Sequence, residues 1–323
     1  MFPKTLGMKV FVYESITATI PASDSSLYRE GLAMREALTA DLAACPGIEV
    51  VSFHPGDSFE NGVTLCDAVW LIAPELGDTL GQLAEQVLAK GKALIGSNPA
   101  AIRATSDKLD LADRWKRRGL PTPETCPASE WRQLPFPLVI KPVDGCGSTA
   151  TFLARNETEV RHALERCEKE GFVHEGLIAQ PLIPGLAASV SFLAGESHLT
   201  PLLPAIQNVS PGSNFAYAGG SIPLPREFAE RAVRLGQQAL EPVEGVRGYV
   251  GVDLILGDAI DGSKDMVIEI NPRLTTSYVG LRALASFNLA QAALDLCLRN
   301  VIPLPRWKDG RIQFTPDGLV TWL

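Results

Sequence analysis

The chain has 323 residues, 46% of them hydrophobic, and this length predicts two or three compact lobes rather than one small core. A net charge of −8, from 29 basic and 37 acidic residues, argues against a nucleic-acid partner. Six cysteines without a CxxC pair, together with four histidines, argue against a structural zinc site or a disulfide scaffold.

The N-terminal segment "MFPKTLGMKVFVYE" lacks the charged and then apolar layout of a signal peptide, and the longest apolar stretches have the length of strands. We therefore expect a cytoplasmic protein that does not associate with membranes. The sequence carries no signal for the oligomeric state, so a homo-oligomer is left open.

Residues 9–97 alternate short apolar strands with segments of helical periodicity. The predicted strands are "KVFVY", "IEVVSF", "AVWLIA" and "KALIGS", and the predicted helices are Ser26 to Ala43 and "DTLGQLAEQVLAKG". This pattern is typical of a small parallel sheet covered by helices. Loops after such strands tend to carry ligands, so "ESITAT" and "PELGD" are candidate site loops. An ordinary βα turn is the alternative for each loop.

The next segment, from about residue 100, is predicted to be helical up to Gly119, with Pro121 and Pro123 ending the helix. "PFPLVIKPVDGCGSTATFLA" predicts a strand, a glycine-rich loop and a strand, and "ETEVRHALERCEKEG" predicts a helix. "GLIAQPLIPG" is a strand that ends at Gly185. The remainder is expected to form antiparallel strands, including "ASVSFLAG", "HLTPLLPAI", "GYVGVDLIL" and "MVIEI", with one helix near 278–298 packed over them.

The predicted strands "VGVDLIL" and "MVIEIN" each contain one acidic residue, and they flank a turn in which Asp261-Gly262 signals a hairpin. If the hairpin is symmetric about Asp261, Asp253 lies opposite Glu269. Asn271 then shares a face with Glu269, whereas Met266, Ile268 and Ile270 take the other face. Opposed carboxylates repel each other, so a positive charge is expected between them, and Mg²⁺ prefers such oxygen ligands. A solvated strand face with incidental acids is the alternative.

The glycine-rich loop offers a phosphate site, because Lys141 precedes Gly145, Gly147 and Ser148. Glycines let backbone N–H groups approach phosphate oxygens, and a lysine supplies compact positive charge. A plain glycine hairpin is the alternative. Lys108, in "TSDKLDLADRW", is a second candidate, with a solvated helix lysine as its alternative.

The order of these segments resembles the ATP-grasp ligases. A lysine before a helix ending in "RRGLPTPE", "PLVIKP" before a glycine loop, "AQPLIPG", the acid of "VDLIL" and then "EINPR" occur in the family's order. The resemblance implies an α/β and α+β protein in which two α+β lobes clasp ATP behind a Rossmann-like N-terminal domain. We place these domains at residues 1–100, 101–185 (the lobe with the glycine-rich loop) and 186–323 (the lobe with the Mg²⁺ and phosphate site).

The resemblance also implies roles for residues at matching positions. Lys108 and Lys141 correspond to lysines that contact ATP, the segment from Gly145 to Ser148 to the loop over the phosphates, and Arg273 to the arginine that steadies the transferred phosphoryl group. The remaining matches are the adenine-reading hinge at Gln180, Leu182 and Ile183, and the ligands of two Mg²⁺ ions, with Mn²⁺ as an alternative, at Asp253, Glu269 and Asn271.

The sequence departs from the family pattern at four positions. Gln180 replaces a frequent glutamate, Pro181 removes a backbone donor from the hinge, and Ala187 stands where an acidic ribose ligand is common. Cys146 in the glycine loop has no basic neighbour in sequence that would lower its pKa, so we interpret it as an oxidation liability rather than a nucleophile.

Within the superfamily, "VYESIT", "EGLAMREAL", "LIAPE" and "EINPRLTTSYVGLR" resemble the tyramine-glutamate ligase branch linked to methanofuran-type cofactors. The resemblance implies an amide bond between the γ-carboxylate of glutamate and tyramine, formed through an acyl phosphate. Thr275, Thr276 and Ser277 are candidate substrate contacts, and helix capping is their alternative. "QNVSPGSNFAYAGGS" is a candidate substrate lid, with an ordinary hairpin as the alternative.

Two rival functions remain. One keeps the fold and joins another pair of amino acids or amines, as a dipeptide-type ligase does. The other is a nucleotide-binding regulator without turnover, although such a protein has no need for Asp253, Glu269 and Arg273 together. The glutamate–amine ligase and both rival functions predict small-molecule ligands.

Overall fold

The computed structural model describes residues 7–20, 22–23, 25–51, 53, 57–145, 147–210 and 215–323. The N-terminal elements form a parallel sheet in the order β2-β1-β3-β4, as the strand and helix alternation predicts. Helix α2 begins where Ser25 Oγ accepts a hydrogen bond from Tyr28 N. These elements are β1 (Met8–Glu14), α1 (Ser15–Thr19), α2 (Ser26–Ala43), β2 (Ile48–Val51), α3 (Phe59–Leu65), β3 (Ala68–Ile72), α4 (Thr79–Ala89) and β4 (Ala93–Leu94).

A second sheet is antiparallel, in the order β5-β8-β6-β7. The segment predicted to be helical up to Gly119 forms two helices rather than one continuous helix. It breaks at Asp107, whose backbone is extended and whose carboxylate accepts hydrogen bonds from the first N–H groups of a new helix. The elements are α5 (Pro99–Ser106), α6 (Lys108–Arg117), β5 (Cys126–Pro127), β6 (Leu138–Pro142), β7 (Phe152–Ala154), α7 (Glu157–Lys169) and β8 (Leu177–Pro181).

The third sheet is also antiparallel, in the order β14-β13-β9-β11-β12-β15-β16, with β10 paired to β9. The helix predicted near 278–298 is two helices, because Ala285 is extended and Asn288 caps a new start. Helix α8 was not predicted. The elements are β9 (Leu186–Ala194), β10 (Leu199–Pro201), β11 (Ala205–Val209), β12 (Tyr217–Ile222), α8 (Arg226–Leu240), β13 (Gly248–Leu256), β14 (Met266–Asn271), α9 (Ser277–Leu284), α10 (Leu289–Arg299), β15 (Ile312–Phe314) and β16 (Val320–Trp322).

One apolar core joins the first and third sheets. Leu38 and Leu42 of α2 belong to the same buried cluster as Tyr278 of α9 and Leu294 of α10. Asp41 of α2 accepts hydrogen bonds from Tyr278 and forms an ion pair with Arg282 of α9. These contacts fix α2 against the C-terminal sheet. The division of the chain at residues 100 and 185 stays a prediction.

Among the described residues, none of the helices combines the length and the apolar character needed to cross a membrane.

Candidate functional site

A cavity of about 380 Å³ lies where the three sheets meet. Every residue predicted for the site lines it, although these residues come from positions 108 to 277 of the chain. They are Lys108, Lys141, Gly145, Gly147, Ser148, Gln180, Leu182, Ile183, Asp253, Glu269, Asn271, Arg273, Thr275, Thr276 and Ser277. The fold therefore brings the predicted set together, and the roles of its members stay predictions.

The predicted pairing of β13 with β14 is confirmed, because Asp253 lies opposite Glu269 and Gly251 lies opposite Asn271. The register then shifts, so that Leu254 pairs with Val267. This bulge turns Ile268 to the cavity beside Glu269. The prediction that Ile268 shares the opposite face with Ile270 is therefore wrong.

Positive charge faces these carboxylates, as their mutual repulsion requires. Lys108 Nζ lies 3.7 Å from Glu269 Oε2. Burial lowers the pKa of Lys141 to about 8, although Glu269 opposes that shift. Burial acts to raise the pKa of Glu269, but the charges of Lys108, Lys141 and Arg273, together with a hydrogen bond to Asp253, leave the pKa below its usual value. Burial and the Glu269 charge raise the pKa of Asp253.

The donor set suits a hard cation that keeps several non-protein ligands. Asp253 and Glu269 supply carboxylate oxygens, and no group of three or more His, Cys, Asp or Glu side chains that could hold a metal occurs in the described part of the chain. Mg²⁺ fits such a sparse set, because water and phosphate oxygens complete its shell. Asn271 Nδ2 donates to Asp253 Oδ2 at 3.1 Å, so this amide must turn over before its oxygen faces a cation.

The glycine-rich loop joins the antiparallel strands β6 and β7, so it is a glycine hairpin. The same loop also lines the cavity. Lys108 Nζ donates to Gly145 O at 3.2 Å, and Asp144 Oδ2 accepts from Gly77 N at 2.9 Å. A Cβ at Gly147 would lie 2.9 Å from Leu27 Cδ2 of α2. The loop thus rests on the "PELGD" loop and on α2. Cys146 lies outside the described residues.

Some hydrogen-bonding groups of the hinge segment, residues 180–183, are engaged within the protein, and others remain for a ligand. Gln180 Nε2 donates to Thr125 Oγ1 at 2.8 Å, and the hydroxyl of Thr125 donates to Pro123 O at 2.9 Å, which fixes the orientation of the Gln180 amide. Leu182 N donates to Pro137 O at 2.8 Å. In the described part of the chain, Ile183 N has no acceptor.

Arg273 is held by a carboxylate that the sequence did not identify as its partner. Arg273 Nε lies 3.0 Å from Glu75 Oε1, and the two side chains are only 9% and 4% exposed. Arg273 also donates to Asn271 Oδ1 at 3.2 Å. Glu75 belongs to the "PELGD" loop after β3, so the position of that loop after a strand was the signal available in the sequence.

The hydroxyls after Arg273 do not cap the following helix. Thr276 precedes α9, but its side chain makes no capping hydrogen bond and donates instead to Tyr217 at 3.1 Å. Ser277 Oγ lies 2.7 Å from Thr275 Oγ1 and 3.0 Å from the hydroxyl of Tyr249. The capping alternative is therefore wrong, and a hydroxyl network lines the cavity wall.

The candidate lid is a hairpin in its described arms, β11 and β12, with a register shift between Gln207 and Val209. Gln207 Nε2 donates to Asp253 Oδ1 at 2.8 Å, and Tyr217 lines the cavity. The tip, residues 211–214, lies outside the described residues, so closure over a substrate stays a prediction.

The N-terminal part of the chain adds two carboxylates to the cavity wall, Glu14 of the candidate loop "ESITAT" and Glu30, which sequence reasoning missed. Glu14 accepts hydrogen bonds from Ile16 N and Thr17 N at 3.0 and 2.7 Å, which begins α1. Glu30 of α2 also lines the cavity, and burial raises its pKa to about 7 against the opposing charges of Arg273 and Arg29. Glu30 occupies a helix position that the sequence pattern does not distinguish from its solvated neighbours.

Two family models match the chain. A model of the ATP-grasp domain matches residues 105–277, and a model of the pre ATP-grasp 3 domain matches residues 32–102. A solved structure of an ATP-grasp superfamily protein from Archaeoglobus fulgidus is 28% identical with a TM-score of 0.72, and the match covers 95% of this chain and 92% of that one.

Curated relatives match over part of their length. A tyramine–L-glutamate ligase of Methanocaldococcus fervens is 26% identical over 220 residues, which are 67% of this chain and 62% of the relative. A D-alanine–D-alanine ligase of Synechococcus sp. is 28% identical over 227 residues, which are 64% of this chain and 66% of the relative. The chain thus spans less than two thirds of the length of each of these relatives.

Proposed function

The chain belongs to the ATP-grasp family, and on that premise we propose that it is an ATP-dependent ligase that joins a carboxylate to an amine through an acyl phosphate. The observation that carries the proposal is the convergence of Lys108, Lys141, Arg273 and the Asp253–Glu269 pair on one cavity. Because phosphoryl transfer is catalysed mainly by positioning and charge neutralisation, this set needs no side-chain nucleophile.

The hinge segment supports an adenine site despite its departures from the family pattern. Because Gln180 Nε2 donates one of its two hydrogens to Thr125, the orientation of the amide is fixed and Gln180 Oε1 remains to accept from an amino group, as a glutamate oxygen would. Ile183 N remains to donate to a ring nitrogen, so the donor that Pro181 removes is not needed. We propose that these two groups read the exocyclic amine and the adjacent nitrogen of adenine, with Leu182 and Ile268 as apolar walls.

The phosphate end of the cavity holds the charged groups. Lys108 and Lys141 would bind phosphate oxygens, below backbone N–H groups of the loop that contains Gly145, Gly147 and Ser148. Asp253 and Glu269, with Asn271, would hold Mg²⁺, two ions in this proposal or Mn²⁺ in their place. When bound, the metal neutralises charge on the transferred phosphoryl group.

The proposed reaction has two steps. A carboxylate oxygen of the acid attacks the γ-phosphorus of ATP, the bond to the β-phosphate oxygen breaks, and ADP leaves. The amine nitrogen then attacks the acyl carbon, the carbon–oxygen bond breaks, and phosphate leaves, while the nitrogen of an ammonium substrate gives up two protons in total. Arg273 would hold the transferred phosphoryl group in both steps, because its guanidinium matches phosphate oxygens in shape and charge.

For the substrates, we propose glutamate, activated at its γ-carboxylate, and tyramine or a similar amine. The similarity to a tyramine–L-glutamate ligase supports this pair, and a place in methanofuran-type cofactor synthesis belongs to the same proposal. The hydroxyls of Thr275, Thr276 and Ser277 would contact the acid. The similarity to a D-alanine–D-alanine ligase favours a second candidate, a ligase that joins two amino acids.

Measurement of ADP release with ATP, Mg²⁺, glutamate and a panel of amines tests the proposal. Release that requires both glutamate and tyramine is the expected result. Release that requires two amino acids instead would favour the second candidate, whereas ATP binding without release under any pairing would indicate a nucleotide-binding regulator and contradict the ligase proposal.

A further inference from the structure

We propose that Glu30 binds the ammonium group of the acceptor, and that the face of α2 around it selects an amine that has an apolar tail and no carboxylate. This inference rests on the proposed ligase function and specifies the substrate class of the same cavity. It assigns the acceptor site to the N-terminal part of the chain.

The helix face that carries Glu30 is built as one wall of the cavity. Leu27, Glu30, Gly31 and Met34 all line it, and their spacing of three and four residues places them on the same side of α2. Gly31 is needed there, because a Cβ at this position would lie 2.6 Å from the carboxyl carbon of Glu14. The wall is therefore apolar on both sides of one carboxylate.

Glu30 is the carboxylate of this wall that remains available to a ligand. Glu14 is engaged by two backbone N–H groups, and Glu75 is engaged by Arg273. Glu30, in contrast, accepts no hydrogen bond from the described residues. A half-buried carboxylate without a partner is unfavourable, so a cationic ligand would stabilise it. Its raised pKa agrees with this environment.

The position of Glu30 suits an amine that attacks an acyl phosphate. Leu27, one turn before Glu30, meets the glycine-rich loop at Gly147. Arg273, which follows β14, lies close enough for its charge to act on Glu30. An ammonium group paired with Glu30 would therefore lie between the phosphate loop and the arginine, where the acyl phosphate is expected.

The charges of the cavity exclude an acceptor carboxylate. Among the described residues that line it, the positive charges belong to Lys108, Lys141 and Arg273, and Arg273 is already engaged by the buried carboxylate of Glu75. A carboxylate on the acceptor would be repelled by Glu30 and would have to compete with Glu75 and Glu30 for the charge of Arg273. An amine such as tyramine should therefore bind much better than tyrosine, which differs by that carboxylate alone.

The Glu30→Gln variant tests the inference, with Glu36→Gln as the matched control on the exposed side of α2. Calorimetry of tyramine binding, in the presence of Mg²⁺ and a non-hydrolysable ATP analogue, needs no turnover. We expect a roughly ten-fold or greater loss of tyramine affinity in Glu30→Gln, unchanged affinity in Glu36→Gln, and unchanged affinity for the analogue in both, which shows that both fold.

Kinetics then separate this inference from the ligase proposal. In an active enzyme, Glu30→Gln should raise the KM for tyramine at least about ten-fold, keep the KM for glutamate within about two-fold, and reduce the preference for tyramine over tyrosine. Equal tyramine affinity in the two variants, no tyramine binding to the wild type, or a rise confined to the KM for glutamate would overturn the role of Glu30. Wild-type tyramine binding without ADP release would instead contradict the ligase proposal.

Discussion

Glu75 and Arg273 lie 198 residues apart in the chain and form an almost fully buried ion pair, with Nε and Oε1 separated by 3.0 Å. One partner follows a strand of the N-terminal sheet, and the other follows the strand that carries Glu269. Burial of this pair orients the guanidinium at the cavity wall. We therefore expect Glu75 to act as a positioning residue, through the arginine, in the proposed phosphoryl transfer.

Replacing Glu75 with Gln should lower kcat by about ten-fold or more while the KM for ATP changes little, because the arginine loses its orientation and not its charge. Urea unfolding should also report a loss of up to ~3–5 kcal/mol, the usual cost of breaking a buried pair. Glu85→Gln, which breaks an exposed pair with Arg103, is the control and should change neither quantity measurably. An equal fall in kcat for both variants would contradict the positioning role.

Glu269→Gln should abolish ADP formation without unfolding the protein. The substitution weakens the proposed metal ligand and keeps the side-chain volume. Steady-state ADP release and a thermal melt check the two parts of this expectation, and the exposed Glu241→Gln serves as the control. Full turnover in Glu269→Gln would exclude the metal assignment.

Ile183→Pro should weaken ATP binding by about ten-fold, because it removes the N–H proposed to contact adenine. Ile183→Val keeps that N–H and a similar side chain, so its affinity should match that of the wild type. Calorimetric titration with ATP compares the two variants. Equal affinities would show that the backbone of residue 183 does not contact the base.

Stability should fall as pH rises from about 4.5 to about 7, in part through Glu30. Its pKa is raised from 4.5 to about 7 in the folded protein, mainly by burial, while Arg273 and Arg29 oppose the shift. The folded state therefore holds more protons than the unfolded state in this window, so the free energy of unfolding decreases by at most ~1.4 kcal/mol per pH unit.

Glu30→Gln removes this titration, and urea unfolding at several pH values without nucleotide should give a flatter curve than the wild type. Glu36→Gln is the control and should keep the wild-type slope. Parallel curves for Glu30→Gln and the wild type would show that the carboxylate is not desolvated.

Local patterns in the sequence determined most of the secondary structure and the pairing of the strands that carry Asp253 and Glu269. Helix α2 has the predicted bounds, Ser26–Ala43, because its cap and its periodicity lie within the segment itself. The opposition of Asp253 and Glu269 agrees with the count made symmetrically about Asp261, although the register shifts between Asp253 and Leu254. Both features depend on residues close together in the chain.

Only the tertiary structure decided which distant groups meet. The bulge that turns Ile268 to the cavity and the breaks at Asp107 and Ala285 leave no clear periodic signal in the sequence. The pairing of Glu75 with Arg273, and the position of Glu30 on the cavity wall, depend on how α2 and the first sheet pack against the third sheet. That packing depends on the shapes of buried side chains from separate parts of the chain, which periodicity and spacing do not encode.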